Sequence, residues 1–102
     1  MTGIGEDLEI TRVDPDWGVG AARVRGRLNG HRFEALVFPE RAQKAEWELH
    51  GGRVSRLKVM RAASGEVVFE WDRRMLTRAT TALAGEIADF LAAGLADHIF
   101  GR

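Results

Sequence analysis

A chain of 102 residues, 45% hydrophobic and 29% charged, has the proportions of one globular domain, which excludes a multi-domain enzyme and an intrinsically disordered polymer. Fifteen basic and fifteen acidic residues cancel, so the chain is neither a histone-like polycation nor an acidic mimic of nucleic acid. Without cysteine it has no disulfide, no zinc–thiolate site and no thiol nucleophile, in keeping with a reducing, cytoplasmic setting.

The first twenty residues carry Glu6, Asp7, Glu9, Asp14 and Asp16 and no apolar run, so no signal peptide is expected, and no stretch of about 18 apolar residues suggests a membrane span. A strand is expected over residues 7–13, ended by a turn at Asp14-Pro15-Asp16, with Trp17 packing on the rim of a sheet. Leu28-Asn29-Gly30-His31 then gives the sharpest local signal, because Asn-Gly between alternating segments is the preferred chemistry of a two-residue type I′ hairpin. It joins strands at 21–28 and 31–38. Leu28 faces His31, and Gly26–Phe33, Val24–Ala35 and Ala22–Val37 follow on the core face. Arg23, Arg25 and Arg27 then share the opposite face with Arg32 and Glu34.

Residues 40–50 begin with helix formers and end in the alternation Glu46-Trp47-Glu48-Leu49, read as an excursion closing in a short edge strand before Gly51-Gly52. A second hairpin is expected between 53–61 and 66–72. A four-residue loop would set Lys58 against Phe69 and Arg56 against Trp71. A five-residue loop sets Val59 against Phe69 and Leu57 against Trp71, leaving Lys58–Glu70 and Arg56–Asp72 on the solvent face, so the second register is preferred. From about Thr77 to Phe100 the apolar period becomes helical, with Leu83, Ile87, Phe90, Leu91, Leu95 and Ile99 along one stripe, Thr77 as the amino-terminal cap and Gly101 at the carboxyl end. The expected fold is α+β, one domain over residues 1–102: an antiparallel four- to five-stranded sheet with one C-terminal helix packed across its apolar face.

Charge is distributed in blocks along the chain, with residues 21–32 and 53–78 each at +4 and acidic segments between and around them. Thirteen of the fifteen basic residues are arginine, leaving only Lys44 and Lys58 as lysine, a bias that GC-rich coding produces together with the abundance of alanine and glycine.

The strand Gly51-Gly52-Arg53-Val54-Ser55-Arg56-Leu57, followed by Glu70-Trp71-Asp72-Arg73, resembles a family of small uncharacterised domains of bacteria and their phages. Those domains have a G-G-R-[IV]-S-[KR]-L strand and then an N-W-D-R-G-like motif. Residues 24–35 look like the opening hairpin of the same family. Glu70 stands where those domains usually have Asn, His31 where they often have Tyr, and Arg74 where they have Gly. The resemblance implies a bacterial or prophage accessory protein and carries no activity with it.

Catalytic chemistry finds little support. His31, His50 and His98 have no metal-ligand spacing, and Glu70 and Asp72 are neighbours on one strand face rather than opposed carboxylates. Ser55 and Ser64 lie in no G-x-S-x-G, and Gly18-Val19-Gly20 leads into a strand rather than a helix. No catalytic residue, metal or cofactor is assigned. The concentrated feature is basic: Arg23, Arg25, Arg27, Arg32, Arg56 and Lys58, extended by Arg53 and Arg61 if the hairpins are adjacent, with Trp17 and Trp47 as candidate aromatic anchors. We therefore expect a non-enzymatic protein that binds a macromolecular partner, with a protein partner first and nucleic acid second. Steric inhibition of a host defence complex, in the manner of an anti-CRISPR protein, is the most specific form of that expectation. A homodimer using Ala92, Ala93 and Ala96 of the helix is compatible with the sequence.

Overall fold

The structure is a computed structural model that describes residues 6–16, 20–40, 48–49 and 52–101. Six strands, β1 (Glu9–Asp16), β2 (Ala21–Leu28), β3 (His31–Val37), β4 (Val54–Arg61), β5 (Val67–Asp72) and β6 (Met75–Thr77), form one antiparallel sheet in sequence order, followed by helix α1 (Ala82–Phe100). Among the described residues the fold is thus α+β with a single C-terminal helix on an antiparallel sheet, but the sheet has six strands rather than four or five. The extra strand is β6, whose three residues are too few to show an alternating pattern and adjoin the expected start of the helix.

Asn29 and Gly30 both have positive φ, 49° and 74°, the backbone a type I′ turn demands. The β2–β3 register runs from Leu28↔His31 to Ala22↔Val37 without a shift, as the turn dictates. Asp7 reinforces the turn from outside, since its carboxylate accepts the Asn29 N–H at 3.0 and 3.1 Å. His31 is buried. Its position opposite Leu28 turns it to the core side, where Nδ1 donates to the Asn29 carbonyl at 2.7 Å.

The other pairings all carry a register shift. Strand β1 continues through Pro15 to Asp16 instead of turning at Asp14. Proline is tolerated there because β1 lies at the sheet edge. A bulge at Thr11 exchanges the faces of β1, so that Arg12 and Asp14 join Glu9 on the solvent side. In the second hairpin both loop lengths contribute. At the tip, the Arg61 N–H donates to the Glu66 carbonyl at 2.9 Å, closing a four-residue loop over 62–65. One extra residue in β5 then shifts the ladder, and Val59↔Phe69, Lys58↔Glu70, Leu57↔Trp71 and Arg56↔Asp72 pair as the hydrophobic pattern requires. Both Val68 and Phe69 are consequently buried.

The helix begins at Ala82, not at Thr77. Thr81 is the cap, its hydroxyl accepting the Ala84 N–H at 3.0 Å, and Gly101 closes the helix in the left-handed conformation with its N–H on the Asp97 carbonyl. Ile87, Leu91 and Leu95 meet Phe33, Leu57, Val59 and Val68 of the sheet in the core, while Leu83 is left 37% exposed, off the buried stripe. Between the large residues runs a second buried row, Ala84, Ala88, Ala92 and Ala96, four residues apart. Ala92 and Ala96 are therefore part of this chain's own core and not free for a two-fold partner, which leaves Ala93 exposed.

The alanine row permits close approach, and Gly52 uses it: a Cβ there would collide with the backbone carbonyl of Ala92. The next residue, Arg53, has φ 64° and a largely buried side chain that donates to the Pro39 carbonyl at 2.7 Å and pairs with Asp97 of α1 at 2.5 Å. It ties the ends of β3, β4 and the helix together and does not extend the basic face of the sheet. Nor does Arg61, which sits opposite His31 and pairs with Glu66 at 2.9 Å. Of the excursion expected over residues 40–50, residues 41–47 and 50 lie outside the described residues; Glu48 and Leu49 are both buried and form no strand. Among the described residues no helix is long and apolar enough to cross a membrane.

Two glycines should respond in opposite directions to alanine. Gly52→Ala forces backbone against backbone and is expected to cost about 3 kcal/mol, lowering the melting temperature by on the order of 10 °C. Gly94 lies mid-helix, exposed and with nothing within 4 Å of an added methyl, so Gly94→Ala should stabilise by about 0.5–1 kcal/mol. Thermal melts followed by circular dichroism measure both.

Candidate functional site

With the registers of all five strand pairs fixed, the solvent face of the sheet can be built row by row across the strands. One row reads Glu9, Arg27, Arg32, Met60 and Val67 from β1 to β5. The next reads Arg12, Arg25, Glu34, Lys58, Glu70 and Thr77 from β1 to β6. The third reads Asp14, Arg23, Leu36, Arg56 and Asp72. All six basic residues singled out in the sequence, Arg23, Arg25, Arg27, Arg32, Arg56 and Lys58, are thus brought onto one face. The adjacency of β3 and β4 is what joins the two hairpins' contributions. Trp17 and Trp47 lie outside the described residues, as does His50.

The face is less basic than an arginine row suggests. In these three rows seven cations meet five carboxylates, and the carboxylates are interleaved rather than segregated. Arg27 pairs with Glu9 at 2.9 Å, Arg12 with Asp14 at 2.6 Å, Arg25 with Glu34 at 3.2 Å and Arg56 with Asp72 at 3.5 Å. Each pair is substantially exposed and contributes on the order of 0–1 kcal/mol to stability, so what the network sets is the charge pattern presented to solvent. Lys58 stands in register between Glu34 and Glu70.

The contribution of β1 has no counterpart in the sequence pattern. Arg12 and Asp14 join Glu9 on this face only because the bulge at Thr11 reverses the alternation, and a single extra residue leaves no periodic trace. Apolar side chains also break the charge pattern. Leu36, half-buried, lies between Arg23 and Arg56, and Met60 lies beside Arg32. Two shallow depressions of 240 and 360 Å³ meet at Arg25 and Glu34, one extending toward Arg56 and the other toward Met60. A concave, mixed-charge face with apolar points suits protruding side chains of a macromolecule.

Elsewhere, His98 is exposed in the last helical turn, far along the chain from His31 in the first hairpin. Among the described residues no three histidine or carboxylate side chains gather closely enough to hold a metal ion.

A family model described as a domain of unknown function, DUF7678, matches residues 17–96. No curated protein and no solved structure matches the chain.

The row through Lys58 gives a direct check on this charge lattice. Lys58→Glu would set three carboxylates side by side at positions 34, 58 and 70 and should destabilise the fold by about 1 kcal/mol in urea titrations, with the loss shrinking as salt is added. A loss independent of salt would mean that packing of the lysine stem, not charge order, is what the row supplies.

Proposed function

The chain belongs to the DUF7678 family of domains of unknown function, and within it we propose a non-enzymatic binding module whose charged outer sheet face docks on a protein partner. The observation that carries this reading is the interleaving of carboxylates with arginines around Leu36 and Met60. A phosphate backbone is attracted by cations alone and repelled by Glu9, Asp14, Glu34, Glu70 and Asp72, whereas a protein surface can match both signs. Arginine adds bidentate geometry for carboxylates and is enriched at protein interfaces. The same carboxylates face cations across the strands, which favours a recognition surface over acid–base chemistry.

In its more specific form, the proposal is steric inhibition: a small bacterial or phage protein of this kind would occlude the working surface of a host defence complex, as anti-CRISPR proteins do. That form rests on the resemblance of the Gly51–Leu57 and Glu70–Arg73 motifs to small phage and bacterial domains. Nucleic-acid binding through Arg27 and Arg32, adjacent in the first row, is the alternative.

Tagged protein expressed in a related bacterial host is expected to co-purify with a stoichiometric protein that survives nuclease treatment. The Arg23→Glu, Arg25→Glu, Arg27→Glu triple variant, confirmed as folded by circular dichroism, should lose it. Retention of the partner by that variant would overturn the assignment of the face, and material that disappears entirely with nuclease would put the nucleic-acid alternative first. For the inhibitory form, phage plaquing should rise when the protein is expressed in cells carrying the susceptible defence system; unchanged restriction across the candidate systems would sink it.

A further inference from the structure

A second exposed cationic segment lies at the β6 edge of the sheet, where Glu70 and Asp72 of β5 are the facing carboxylates. From Arg73 to Gly85 the sequence contains no acidic residue. Arg74 and Arg78, both exposed, stand immediately before and after β6. Between them Met75 and Leu76 are 43% and 46% exposed, two of the four large hydrophobic side chains exposed among the described residues. Exposed apolar side chains flanked in sequence by arginines have the composition of an interface, in which apolar residues are buried within a charged rim once a partner binds.

We infer that the β6 edge is a second docking site, taking a protein segment that carries an apolar pair bracketed by carboxylates. The bulge at Leu76 interrupts the ladder, so the edge offers side chains more than a template for a further strand. A second copy of the chain is a poor occupant. Antiparallel pairing of two β6 strands about Leu76 sets Arg74 opposite Arg78 of the other copy twice over, and like charges directly opposed are destabilising. A nucleic-acid backbone would satisfy the arginines while leaving Met75 and Leu76 against charged phosphates. An acidic segment with an apolar pair satisfies all four side chains, with arginine able to hold each carboxylate through two parallel hydrogen bonds.

Selection from a library of random linear peptides displayed on phage, with the full chain as bait, tests this site and requires no candidate partner. The expected consensus is an adjacent apolar pair with Asp or Glu on both sides. Binding of the selected peptides should weaken about tenfold or more in the Met75→Ser, Leu76→Ser variant and also in the Arg74→Ala, Arg78→Ala variant. It should persist in the Arg23→Glu, Arg25→Glu, Arg27→Glu variant, which separates this site from the outer face. All the substituted side chains are exposed, and circular dichroism verifies that each variant folds. The inference is overturned if no such consensus emerges or if the peptides bind both edge variants as they bind the wild type. It is equally overturned if a single-stranded DNA probe displaces the peptides and depends on Arg74 and Arg78 but not on Met75 and Leu76.

Discussion

Side-chain parity in the sheet is the constraint on which the rest of this molecule depends. Along β2 and β3 apolar and charged residues alternate, so a slip of one residue would bury Arg23, Arg25 and Arg27 and expose Val24, Leu28 and Phe33. The left-handed pair Asn29-Gly30 removes that freedom at the first hairpin, because a type I′ turn closes on one pair only, Leu28 with His31. Gly26 is part of the same arrangement. A Cβ there would meet the Phe33 ring at 2.6 Å, so the glycine lets the largest core side chain of β3 lie across its neighbour strand.

From parity the two surfaces of the sheet acquire different physics. On the inner side the helix is drawn close by a row of alanines, and Gly52 and Arg53 fasten the start of β4 to it, one by having no side chain and the other by a largely buried guanidinium. The Gly52-Arg53 pair thus has a structural reason of its own: contact with the Ala92 carbonyl at the first position, and a tie to Pro39 and Asp97 at the second. A left-handed backbone at an arginine is costly, and the hydrogen bonds that Arg53 makes offset it.

On the outer side parity collects arginines, and register decides what they mean. A row of basic residues along one strand reads as a cationic patch. Once β1, β3 and β5 are laid beside it, each row acquires carboxylates, and the surface becomes a lattice of both signs with Leu36 and Met60 set into it. The proposal of a protein partner follows from that lattice, and the proposal for the β6 edge follows from its ending there, where Arg74 and Arg78 flank exposed apolar side chains.

Local chemistry is sufficient to read β2, β3 and their turn, the facing of β4 against β5, the existence of the helix and the face shared by Arg23, Arg25, Arg27 and Arg32, since each depends on patterns within about thirty contiguous residues. Four things require the folded chain. The bulges at Thr11, Ser55, in β5 and at Leu76 each reverse an alternation by one residue and have no periodic signature. The helix cap is Thr81 rather than Thr77 because Thr77 pairs with β5, and a threonine caps equally well at either position until its neighbours are placed. The burial of Ala92 and Ala96 depends on how near the sheet comes, which Gly52 sets from about forty residues away. Finally, the neutralisation of the arginine face depends on which strands adjoin β2. Sequence determines which side of a strand a residue occupies through a period of two; which charges lie beside it is a property of strand order and register, and only the tertiary structure decides those.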